Sequence, residues 1–215
     1  GTPVTDKGLS LNGTTAYAAT ADRVLDTASS YTVSTWVRVD PSASHTLTVL
    51  GQTPESASPF SVKYSPFLLS YAGGGANTWS LRVLASDGAF HEAKAQQATP
   101  RGVWAHVAGV YDADTKKISL YLNGTLQATV DSGTAWKATG PLQFGRAIYA
   151  DNYVDYFQGS VDEAAVWQRV LTPKEIADEA RLLTSQTYAG VELMADWSAD
   201  RGSGTTIADS TSGYG

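Results

Sequence analysis

The stretch Phe157-Gln158-Gly159-Ser160-Val161-Asp162-Glu163-Ala164-Ala165-Val166-Trp167, followed by Leu171-Thr172-Pro173-Lys174-Glu175-Ile176, decides how this chain is read. It is a strand that carries an adjacent Asp–Glu pair and runs into a helix with a marked start. Thr172 stands at the N-cap and Pro173 in the first turn, where its missing N–H costs nothing. Glu175 follows three residues after the cap, which completes a capping box. Ile176, Ala180 and Leu183 then fall on one helix face, expected to dock on a sheet.

Outward from this stretch, period-two alternation dominates, with turn residues at short intervals. Ile118, Leu120 and Leu122 alternate with Ser119, Tyr121 and Asn123 before Asn123-Gly124. That pair is a two-residue hairpin signal, because both positions accept φ > 0. Val33, Thr35, Val37 and Val39 share one face, opposite Ser34, Trp36 and Arg38. Strands also read over 8–12, 17–20, 46–51, 60–64, 67–71, 78–84, 103–111, 142–146 and 157–167. Without a βαβ rhythm, the expected fold class is all-β: a two-sheet antiparallel jelly-roll sandwich with one short C-terminal helix.

A chain of 215 residues suits one large all-β domain. Six Trp and eleven Tyr suffice both for a core and for sugar-binding surfaces. The formal net charge of −6 argues against nucleic acid and against insertion into or adhesion to an anionic membrane. With no cysteine, neither a disulfide framework nor a thiolate metal site is possible. No apolar run approaches the ~18 residues that span a bilayer. The opening Gly1-Thr2-Pro3 reads as a cut inside a longer protein.

Several further segments belong together. They are Leu9-Ser10-Leu11-Asn12-Gly13-Thr14-Thr15-Ala16-Tyr17, Tyr31-Thr32-Val33-Ser34-Thr35-Trp36-Val37, Trp104-Ala105-His106-Val107-Ala108-Gly109-Val110-Tyr111, Leu120-Tyr121-Leu122-Asn123-Gly124 and Leu142-Gln143-Phe144-Gly145-Arg146. With the closing Phe157–Trp167 motif they resemble, in order and over most of the chain, the laminin-G-like modules of the concanavalin A-like superfamily. The resemblance implies a jelly roll that binds a glycan or polysaccharide, or a protein partner. It also implies a secreted or cell-surface, multi-module and bacterial setting, and one structural calcium with Asp162 as side-chain ligand. Backbone carbonyls near Asn12 and Gly13 would supply further oxygens. The chain departs from the acid-rich family pattern, with Asn12 in place of Asp and Thr15-Ala16 in place of Asp-Asp.

The residues themselves leave that site open. Period two puts Asp162 on the face of Ala164 and Val166, where an ionised carboxylate needs a cation or several donors. Calcium satisfies this; so do backbone N–H groups, or a pairing with Arg146, Arg169 or Lys137.

Leu193-Met194-Ala195-Asp196-Trp197 and the Asp200-Arg201-Gly202-Ser203-Gly204-Thr205-Thr206 run after it resemble the opening of such a module, yet stand at the far end. Two domain readings follow. Residues 1–191 form the module, and 192–215 either begin a neighbouring module of a tandem array or return as an edge strand of this one.

Candidate ligand residues lie in the acidic loop Asp151, Asn152 and Asp155, with Tyr149, Tyr153, Trp136 and Trp79 as rings able to stack on a pyranose. Trp36, Trp104 and Trp167 sit inside strand motifs and are assigned to packing, as is His106. Catalysis is not expected. No G-x-S-x-G and no H-x-x-x-H occur, and the sandwich-glycanase pattern E-x-D-x-x-E is absent. Adjacent Asp162 and Glu163 point to opposite faces and cannot flank one sugar. The expected role is a non-catalytic carbohydrate-binding module, with a structural spacer or protein-contact module as the alternative.

Overall fold

The computed structural model describes residues 8–54, 64–181 and the strand backbone of 193–197. The alternating segments pair into two antiparallel sheets. The larger has the order β1 (Leu9–Asn12), β14 (Gln158–Trp167), β3 (Tyr31–Val39), β8 (Trp104–Asp112), β9 (Lys117–Leu122) and β10 (Thr125–Asp131). The smaller has the order β2 (Ala18–Ala19), β11 (Leu142–Phe144), β4 (Leu47–Gln52), β5 (Phe67–Ala72), β6 (Thr78–Leu84) and β7 (Phe90–Lys94). A separate hairpin, β12 (Ala147–Tyr149) with β13 (Asn152–Val154), stands off the smaller sheet. This is the expected jelly-roll sandwich.

Between the sheets lies one apolar core. Val33, Val37, Val107 and Leu120 come from the larger sheet, and Leu47, Phe67, Leu69, Trp79 and Leu81 from the smaller. Tyr31, Tyr71, Tyr111 and Phe157 complete it. Burying each such side chain contributes about 1.5–3 kcal/mol, which is what holds two sheets face to face.

The local signals fold as written. Asn123 and Gly124 take φ of 50° and 76°, so β9 returns as β10 through a two-residue turn whose twist matches the strands. A Cβ on Gly124 would lie 2.9 Å from Cα of Ala177, so the same glycine lets the helix settle on the hairpin. That helix, α1 (Pro173–Glu179), is capped by Thr172 and Glu175 reciprocally. Arg169 adds a forked pair to Glu175 at 2.7 and 3.1 Å. Ile176 is fully buried and packs with Trp167, Tyr121, Ala165 and Leu171 in a small cluster on the outer face of the larger sheet. Leu183 lies outside the described residues.

Two features differ from the sequence reading. β7 and the β12–β13 hairpin lack clean alternation and were not expected as strands. The segment expected over 60–64 is described only at Tyr64, which makes a single bridge to Tyr149; residues 60–63 lie outside the described residues. As for the tail, β15 (Leu193–Trp197) pairs antiparallel with the C-terminal half of β14, from Ala164↔Trp197 to Trp167↔Leu193. β1 pairs with the N-terminal half, from Leu9↔Val161 to Asn12↔Gln158. The two short strands thus share one edge of β14, and Asp162-Glu163 falls between them.

Candidate functional site

That break carries a β-bulge. Along β3, Asp162 faces Trp36 while Ala165 faces Ser34, so β14 has one residue more than its partner. Glu163 supplies it, at φ 45°. A bulge shifts every later side chain to the other face. Asp162 therefore shares the outer face of the larger sheet with Trp36, Ala165 and Trp167, and not the core face with Ala164 and Val166 as simple alternation requires. Asp162 is buried, its Oδ1 accepts the Glu163 amide at 2.9 Å, and its carbonyl accepts the Thr35 hydroxyl at 3.0 Å.

The donor set expected for calcium does not converge. Asn12 pairs with Gln158, four residues before Asp162, which is ~13 Å along a strand. Asn12 Oδ1 already accepts the amides of Thr14, Thr15 and Ala16 at 2.9–3.0 Å, and its Nδ2 donates to the Thr15 hydroxyl. Gly13 donates its own amide to the Phe157 carbonyl. Asn12 and Gly13 thus close a turn at one end of β14 while Asp162 sits at its middle. The residues do not fit one calcium ion, and among the described residues no three acidic or histidine side chains cluster as a metal site. Of the cations offered as partners for Asp162, Lys137 pairs with Asp26, Arg169 with Glu175, and Arg146 donates its Nε to Gln143.

The acidic loop folds into a more organised feature. Gly145 ends β11 at φ 83°, which turns the chain out of the smaller sheet. At that φ a residue with a side chain would be strained, and its Cβ would also press on a Leu11 methyl, so glycine is favoured. The chain then forms β12, turns through Ala150 and Asp151 at φ 49° and 65°, and returns as β13. Ile148 ties the hairpin to Ser65 by two bonds of 2.9 Å. Asp155 and Tyr156 bring the chain back against β4, where the Thr48 amide donates to the Asp155 carbonyl at 2.8 Å. The hairpin thus spans from β11 across β4 to residues 64–65. On the outer side of the smaller sheet Thr48, Leu68, Ser70 and Ser80 are buried too, although they alternate with core residues.

Its two faces differ, because paired residues share a side: Tyr149 with Asn152, and Ile148 with Tyr153. On one side Tyr149 meets Tyr64 edge-on at 5.1 Å, Tyr64 meets Phe90 at 5.7 Å, and the Arg82 guanidinium lies over Phe90 at 4.7 Å. On the other, the Arg146 guanidinium lies between Tyr17 and Tyr153, 3.2 and 3.5 Å from their ring centres. Tyr17, Tyr149 and Tyr153 are each close to half exposed. Half-burial pushes the Asp155 carboxyl above the usual carboxylate range, with the charges of His45 and Arg82 opposing the shift.

Of the expected ligand residues, Tyr149, Tyr153 and Asp155 all stand on this excursion, with Tyr149 and Tyr153 on its opposite sides. Asp151 and Asn152 stand exposed at its tip. Trp136 is half-buried and tied through its backbone to Leu84 and Thr27. Trp79 is a correction: it is wholly buried, edge-on to Tyr71 at 5.2 Å, because its place on β6 points it into the core. Sequence reasoning missed Tyr17, His45, Tyr64, Arg82, Phe90 and Arg146. Only Arg146 had a signal, a cation directly after the Gly145 turn and within ten residues of three tyrosines.

Residues 12–177 match the laminin G type of the concanavalin A-like lectin/glucanases superfamily. Domain 4 of the extracellular arabinanase AbnA from Geobacillus stearothermophilus, solved with arabinotriose, superposes with a TM-score of 0.60 and 22% identity, covering 80% of this chain and 76% of that one. The sialidase CBM40 of Ruminococcus gnavus, solved with α2,3-sialyllactose, gives 0.61 and 16%, covering 80% and 95%. At such identities the likeness is one of fold. The bovine adhesion G-protein coupled receptor D1 is 32% identical over 84 residues, 39% of this chain. The chain spans about a tenth of that receptor and of its human counterpart. A match over most of its length to one sandwich type, with the sheet order to go with it, places this chain in the concanavalin A-like lectin/glucanases superfamily, among the laminin-G-like modules.

Proposed function

We propose that the chain is a non-catalytic glycan-binding module of a secreted or surface protein, with its ligand on the outer side of the smaller sheet beside the β12–β13 hairpin. The observation that carries this reading is the aromatic run Tyr149–Tyr64–Phe90, which ends on Arg82 and adjoins the half-buried Asp155. Exposed rings take the apolar face of a sugar, and a carboxylate beside a guanidinium takes its hydroxyls. The two carbohydrate complexes of similar fold support the class of ligand. They leave its charge open, since one bound sugar is neutral and the other carries a carboxylate.

Hydrolysis is not part of the proposal. A glycosidase sets two carboxyl groups roughly 5–10 Å apart across the bond. The charges that act on Asp155 are those of His45 and Arg82, both basic. The alternative, a spacer or protein-contact module, is favoured by the pairing of β15 with β14, which ties the chain beyond the helix to the sandwich.

A glycan and polysaccharide panel, read in calcium and again in chelator, tests the proposal. Binding that is lost in Asp155→Asn and weakened at least tenfold in Tyr149→Ala supports it. Silence across the panel in both conditions would transfer the weight to the spacer reading.

A further inference from the structure

The β12–β13 hairpin has a second side, and Arg146 is its centre. This cation is 8% exposed, whereas the rings on either side of it, Tyr17 and Tyr153, are 48% and 44% exposed. Its Nε donates to Gln143 Oε1 at 2.8 Å, which anchors the guanidinium between the rings. The two η-nitrogens hold four of the five N–H donors, and they have no partner among the described residues. Four other basic side chains are answered by acids: Lys117 by Asp131, Lys137 by Asp26, Arg169 by Glu175 and Lys174 by Asp178. Among the described lysines and arginines Arg146 is the one buried beyond nine-tenths, and no described carboxylate pairs with it. Stacking on two rings offsets part of the desolvation, but ring faces do not use N–H donors in the guanidinium plane.

We propose that Arg146 receives a carboxylate of a glycan that reaches this second side of the hairpin, so that the module selects an acidic sugar over its neutral counterpart; this rests on the glycan-binding reading above, whose rings lie on the first side. The shape favours that anion. A carboxylate is planar and meets the guanidinium edge through two parallel hydrogen bonds, within the gap between the tyrosine rings. A tetrahedral sulfate or phosphate would press its out-of-plane oxygens toward the rings. The sugar ring that bears the carboxylate then lies against the exposed parts of Tyr17 and Tyr153. Because the chain carries a net charge of −6, its long-range field does not draw polyanions in. Recognition is therefore short-range, and binding should tolerate moderate salt.

The test uses the intact chain and matched probes: a short oligosaccharide ending in glucuronate, and the same compound with its carboxyl reduced to a primary alcohol. Calorimetric titration should show the acid binding at least tenfold tighter than the reduced sugar. Arg146→Gln should erase that difference, and Arg146→Lys, which keeps the charge but not the planar fork, should erase most of it. Melting curves establish that each variant is folded, and the wild-type comparison of the two probes needs no variant at all. Equal binding of the two sugars overturns the proposal and leaves the glycan reading standing. So does binding of neutral panel members with no response to either probe. Binding of nothing in the panel overturns both.

Discussion

The amide of Thr48 donates to the carbonyl of Asp155 at 2.8 Å, and this bond brings an acidic loop residue down onto the outer side of a sheet. There Asp155 is half-buried at φ 54°, beside His45 and Arg82. A carboxylate placed at the expense of its own hydration is a mark of a binding position rather than of a stabilising one.

Asp155→Asn should therefore separate stability from function. Since the folded-state pKa is raised, the folded chain binds the proton more readily than the unfolded one. Stability contributed by this residue grows as pH falls through that pKa and is lower at neutral pH. Asparagine removes the penalty, so the variant should melt at or above the wild-type temperature at pH 7 while losing glycan binding. A melt well below wild type would show that the carboxylate serves the fold.

His106 sets a second pH dependence, of opposite direction. It is buried against Trp36, 5.6 Å between rings, and burial pushes its pKa down from 6.5 to about 4. Between those values the unfolded chain takes up a proton that the folded chain refuses. Stability should fall as pH drops from 6.5 to 4 and level off below, by up to about 3 kcal/mol at 1.36 kcal/mol per unit. Denaturant melts of wild type and His106→Gln across this range isolate the effect, and parallel curves would contradict it.

Gly109 of β8 and Leu81 of β6 face each other across the core. A Cβ on Gly109 would lie 2.9 Å from one Leu81 methyl and 3.2 Å from the other. Gly109→Ala should cost about 1–3 kcal/mol by overpacking. Leu81→Val should be milder alone, and it should recover part of the loss when the two are combined. A strictly additive double variant would show that the clash is relieved some other way.

Glu163 is the extra residue of the β14 bulge, and its deletion is the sharpest test of the register. Without it Ala165 and Trp167 would turn toward the intersheet core and Val166 would leave it. Cooperative unfolding should be lost or the protein should become insoluble. A cooperative melt near wild type would mean that β14 re-pairs without the bulge.

What could be read in advance was what is encoded within a few residues. Asn123-Gly124 needs only its own φ values to make a hairpin, and Thr172-Pro173-Lys174-Glu175 needs only its own hydrogen bonds to start a helix. The alternation of β3 and β9 likewise gave the core faces of both. Asp162 was misplaced because a bulge is a property of two strands, visible only when β14 is set against β3. Trp79 looked available because it follows Asn77 and Thr78, yet one more step along the strand pattern sends it inward. The candidate site was half legible. Tyr149, Tyr153 and Asp155 are neighbours in the chain, whereas Tyr17, His45, Arg82 and Phe90 reach them only through the sheet order.

The central claim is that ligand binds at the β12–β13 hairpin on the smaller sheet. Amide hydrogen exchange with and without a saturating oligosaccharide from the panel tests it most directly. The account predicts new protection in residues 145–156 and 64–70, with no change in β3 and β8. Protection confined to β3, β8 and the Asp162 bulge would place the ligand on the opposite face of the sandwich and contradict the account.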